Sequence, residues 1–70
     1  MGRFAVIVPQ PLADLAHEVV VENLGGIVDD VLDERGTSTI VLSSGLPLDK
    51  LFTTMREYFP AQEAILFSVS

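Results

Sequence analysis

Cysteine is missing from this chain of 70 residues, which excludes disulfides and thiolate metal sites and is compatible with a reducing cytoplasm. Long apolar runs are missing as well. The longest, Phe4 to Val8, falls far short of the roughly 20 residues a helix needs to cross a bilayer. It also lacks the length and cleavage site of a secretory signal, so no membrane partner is expected and the location expected is cytoplasmic. Positive charge is scarce: four Lys and Arg stand against ten Asp and Glu, a net charge of −6. Phosphate neutralisation dominates most nucleic-acid affinity, so this balance argues against direct DNA or RNA binding. It admits simple solubility, or a basic protein partner.

Histidine occurs once, at position 17, with Asp14 and Glu18 nearby. Such a trio is a candidate metal or proton-transfer site, but no second histidine accompanies it and a lone ligand fails the ligand count of a metal site. A solvated helix face is the reading adopted. Nucleotide-binding loops are absent: neither G-x-x-x-x-G-K-[ST] nor G-x-G-x-x-G occurs, and Gly25-Gly26 follows a helix pattern where a phosphate loop would precede one. Ser43 and Ser44 lack a nucleophile elbow and a partnering base. No catalytic, cofactor-binding or metal-ligating set emerges, and a non-enzymatic protein without cofactors is expected.

What the chain does have is apolar patterning over about half its length, which excludes a disordered chain. Residues 1–70 suit one small domain burying about 60% of its unfolded surface. Pro47 to Pro60 is the clearest element. Leu48, Leu51, Phe52, Met55 and Phe59 fall on one helical face, Asp49 and Arg56 sit where the helix dipole favours their charges, and Pro60 ends the helix. Earlier, Arg3 to Val8 is β-branched and apolar on both faces, as in a central strand. Pro9-Gln10-Pro11 then turns the chain into a helix with Leu12, Leu15, Ala16, Val19, Val20 and Leu24 at helical spacing, closed by Gly25-Gly26.

Ile27 to Glu34 fits either a helical stripe or a strand whose alternation is broken by a bulge. The residues that follow favour the strand. Asp33-Glu34-Arg35-Gly36 suits a type I turn with Gly36 free to take positive φ, and Thr37 to Ser43 is strongly β-prone. The two pieces read as a hairpin with an acidic outer strand. Ala64 to Val69 makes a last strand. The order β-α-β-β-α-β, with right-handed crossovers, gives an α+β, ferredoxin-like sandwich: a four-stranded antiparallel sheet with two helices on one face.

Two surfaces are candidate protein-binding sites. Asp29, Asp30, Asp33 and Glu34 form the densest acidic cluster. Val31 and Leu32 interrupt it, so it lacks the alternation and central glycine of a calcium loop. It reads as a charged edge strand that discourages aggregation, or as carboxylates offered to an arginine-rich partner. On the sheet, if Phe4, Val6, Ile40, Leu42, Ile65 and Phe67 face the helices, Ile7, Val41 and Leu66 face outward beside Ala5, Thr39 and Ala64. An apolar strip on an open sheet face marks a surface covered by a second copy, as in a homodimer, or by another domain. The bland alternative is a scatter of surface aliphatics.

The run Val6-Ile7-Val8-Pro9, then Gly25-Gly26-Ile27, Gly36, and Pro47-Leu48-Asp49-Lys50-Leu51-Phe52 resembles the C-terminal domain of elongation factor G and related translational GTPases. That family shows a V-x-x-P start, an R/G-G-x-I step, a glycine turn and a P-L-x-x-L-F helix at similar spacings. The resemblance spans nearly the whole chain and implies the ferredoxin-like fold, packing against neighbouring domains and an approach to ribosomal RNA. Regulatory ACT domains share this fold, but no ligand-loop glycine lies between Pro9 and Leu15. The expectation is therefore a protein-binding module acting on another protein or on itself. Alternatives are a ribosome-associated, translation-factor-like domain and a small acidic inhibitor of phage type that mimics phosphate charge.

Overall fold

The computed structural model describes residues 2–60 and 62–69. Strand β1 (Gly2–Pro9) leads through a 3-10 turn (Gln10–Leu12) into helix α1 (Ala13–Asn23); β2 (Ile27–Glu34), β3 (Thr37–Ser44), α2 (Leu48–Tyr58) and β4 (Ile65–Val69) follow. The strands form one antiparallel sheet in the order β2-β3-β1-β4. Phe4, Val6, Val8, Ile40, Leu42 and Leu66 from the sheet meet Ala16, Val19, Val20 and Leu24 at α1, and Leu51, Met55 and Phe59 at α2, in one core. Both helices therefore cover the same side of the sheet, as in a ferredoxin-like sandwich.

The boundaries of the two helices follow from local chemistry. Asp49 occupies the first turn of α2 and Arg56 the last, and the Phe59 N–H donates to the Met55 carbonyl to close the helix (2.8 Å). Pro47 is the N-cap residue of this helix, one position earlier than its missing N–H alone would place it. The end of α1 is widened, with the Leu24 N–H on the Val19 carbonyl and the Gly26 N–H on the Val20 carbonyl. Gly25 there takes φ +59°, and a Cβ on Gly26 would lie 3.0 Å from Val20 Cγ1 and 3.1 Å from Leu42 Cδ1. The paired glycines thus reverse the chain and let the helix end press against β3. Buried Ser44 secures the same corner: its hydroxyl donates to the Leu24 carbonyl (2.9 Å) and accepts from the Leu46 N–H (3.2 Å).

The octapeptide Ile27–Glu34 is extended, and its register against β3 shifts between Val28 and Asp30, a bulge at Asp29. The hairpin turn differs from the type I turn anticipated. Glu34 pairs with Thr37, leaving Arg35-Gly36 as a two-residue loop with φ +52° and +81°. Positive φ at both positions is the type I′ signature, whose twist matches that of the flanking strands. Leu15, placed in the apolar stripe of the first helix by its spacing, is exposed, and Tyr58 is exposed at the end of α2, where its hydroxyl accepts from Asn23 Nδ2 (2.7 Å).

Candidate functional site: the open sheet face

Pairing fixes which side chains share the face that carries no helix. One row runs Leu32, Thr39, Ile7 and Ile65; the next runs Asp30, Val41, Ala5 and Phe67; the third runs Ile27, Ser43, Arg3 and Val69. Apolar side chains therefore cross the whole sheet from β2 to β4. At the centre Ala5 is buried and Ile7 and Val41 are half-buried, packed by their neighbours within the sheet. Toward the edges Leu32 is 55% exposed, Ile65 58% and Phe67 42%. A recess of about 160 Å³ opens beside this face, lined by Ile7, Pro9, Thr37, Glu63 and Ile65 among others.

The placement of β4 reverses the expectation. Leu66, expected on the open face, pairs with Val6 and is 5% exposed in the core. Ile65 and Phe67, expected beneath the helices, stand outside with Val69. The physical reason is that β4 is apolar on both sides, and its more apolar side, Ile65-Phe67-Val69, suggests the core by hydrophobicity alone. What settles the facing is the register with β1, in which Ile65 opposes Ile7 and Phe67 opposes Ala5. The inward side ends in Ser68, which opposes Phe4 and is exposed.

The acidic cluster is divided by the geometry of β2. The Asp29 carboxylate accepts from the Ser43 hydroxyl (2.7 Å) and lies 3.7 Å from Arg3 Nε, a solvent-screened pair that contributes little. Asp30, opposite Val41, accepts from the Val31 N–H (2.9 Å). Asp33 instead receives the hydroxyl of buried Ser38 on the helix side of the strand, where Ser38 opposes Val8. Glu34 opposes Thr37 beside the turn. The bulge thus leaves Asp29, Asp30 and Glu34 rimming the open face and turns Asp33 away from it.

His17, Asp14 and Glu18 are all exposed on α1, and among the described residues no group of three or more His, Asp or Glu is placed to hold a metal ion. An open groove of about 390 Å³ between the end of α1 and the β3–α2 loop is lined by Asn23, Leu24, Gly25, Gly45 and Leu46, none of them an acid, base or nucleophile. Among the described residues no helix is long and apolar enough to cross a membrane. Compared with protein-family models, with curated proteins and with solved structures, the chain gives no match.

Proposed function

We propose that this protein is a non-enzymatic binding module whose open sheet face receives another protein. One observation carries the reading: Leu32, Ile7 and Ile65 in one row and Val41 and Phe67 in the next form an apolar band across the sheet on the side without helices. Contiguous apolar surface of this kind is costly to leave in water and marks an interaction site. The rim adds a second element. Asp29, Asp30 and Glu34 border the face along β2, so the partner that fits has an apolar centre and basic side chains on the flank meeting β2.

The test is site-specific photo-crosslinking in cells. A crosslinking residue at Thr39, inside the open face, should capture one partner, while the same residue at Glu18, on the outer side of α1, should not. With that partner purified, Val41→Asp should abolish binding. Asp30→Asn should weaken it, and rising ionic strength should weaken the wild type. Equal capture from both positions, or binding indifferent to Val41→Asp, overturns the reading.

A further inference from the structure

The two edges of the sheet are built differently. Along β2 the bulge at Asp29 and the acids Asp29, Asp30, Asp33 and Glu34 are the devices by which sheets refuse a foreign strand. None of them is present on β4. Its sequence, Ile-Leu-Phe-Ser-Val, holds no charge and no proline, and its register with β1 is unbroken from Ile65 to Val69. One side of β4 is occupied by β1, while the backbone groups of alternate residues point away from the sheet. The side chains beside that free edge, Ile65 and Phe67, are exposed.

We propose that β4 pairs antiparallel with β4 of a second copy of this chain, joining two four-stranded sheets into one of eight strands. Three observations select a second copy. First, each copy carries a net charge of −6 and repels another along most approaches, but β4 is uncharged from Ile65 to Val69. Antiparallel pairing also keeps the nearest acid in sequence, Glu63, at opposite ends of the two paired strands. Second, the strand is self-complementary. A two-fold axis at Phe67 sets Phe67 against Phe67 and Ile65 against Val69 on the open face, apolar pairs that stabilise antiparallel strands. Third, the assembly closes: β4 meets β4, and the bulged, acidic β2 edge resists further addition, so the product is a dimer and not a fibre. The pairing rests on the strand edge and not on what docks against the face, so it stands or falls separately from the function proposed above. Its consequence is a doubled apolar face, with the two copies' Phe67 side chains at the middle.

The test uses the full chain. Sedimentation equilibrium from about 1 μM to about 1 mM should show the mass doubling with concentration. In a mixture of isotope-labelled and unlabelled protein, intermolecular nuclear Overhauser effects should connect Ile65 with Val69. Phe67→Lys places like charges at the axis and should weaken the dimer about tenfold or more. Leu32→Lys, on the same face at the other edge, should leave it unchanged, with folding of both variants checked by circular dichroism. A monomer at every concentration overturns the proposal. So do intermolecular contacts from Val41 and Leu32 in place of β4, or a dimer lost with Leu32→Lys and kept with Phe67→Lys. The wild-type contact map decides the matter even if Phe67→Lys fails to fold.

Discussion

Truncating neighbouring residues of β4 should have opposite consequences, and the contrast follows from which side of the strand each occupies. Leu66 is 5% exposed and belongs to the single core. Removing its outer carbons in Leu66→Ala leaves a cavity between sheet and helices, at about 2–5 kcal/mol. At roughly 0.05–0.15 kcal/mol per residue, a domain this size holds only about 4–10 kcal/mol in total, so the variant stands near the limit of folding. Ile65 keeps 58% of its surface in water. Since full burial of such a side chain is worth about 1.5–3 kcal/mol, Ile65→Ala should cost about 1 kcal/mol or less. Urea unfolding followed by circular dichroism, in dilute protein so that association does not contribute, resolves the two. With a slope near 1 kcal/mol per molar, the midpoint should fall by about 2 M or more for Leu66→Ala and by under about 1 M for Ile65→Ala. Equal losses, or a larger loss for Ile65→Ala, would refute the assigned facing of β4.

Two further outcomes test other parts of the fold by the same assay. Ser44→Ala strands a buried carbonyl at Leu24 and a part-buried N–H at Leu46 and should cost about 1–3 kcal/mol; an unchanged midpoint would show that water replaces the hydroxyl. Arg35 holds φ +52° in the turn, a conformation Asn tolerates better, so Arg35→Asn should stabilise by up to about 1 kcal/mol, and a loss of stability would argue against the type I′ turn.

Element order and topology were legible because their signals are local. The helical spacing from Leu48 to Phe59, the paired glycines at 25 and 26, and the β-prone segments on either side of Gly36 each depend on neighbours in the chain. The bulge within Ile27–Glu34 was legible too, since the apolar residues there fit no unbroken alternation. The facing of β4 was not. Both of its sides are apolar, and its parity is set by the register against β1, which hydrophobicity does not specify. That cost the assignment of Leu66 to the open face and hid Ile65 and Phe67. Leu32 was missed for a related reason: the bulge at Asp29 resets the alternation, and only the pairing with Thr39 shows which side Leu32 takes. Ile7 and Val41 could be placed because Phe4, Val6, Ile40 and Leu42 are bulky inward partners with clear alternation. The turn lies one residue later than the Asp33–Gly36 pattern suggests, with Arg35-Gly36 at its centre, and is of the primed type, because strand twist, a property of the paired ribbon, selects that form.

The helix-free side of the sheet exposes an apolar band running from Leu32 to Phe67. That exposure is tested most directly by methyl relaxation in the presence of a soluble, uncharged paramagnetic chelate, with the protein dilute. Methyl groups of Leu32 and Ile65 should relax fastest, those of Ile7 and Val41 at intermediate rates, and those of Leu66, Val6 and Leu42 slowest. If Leu66 relaxed as fast as Ile65, or the open-face row were as protected as the core, the account would be contradicted.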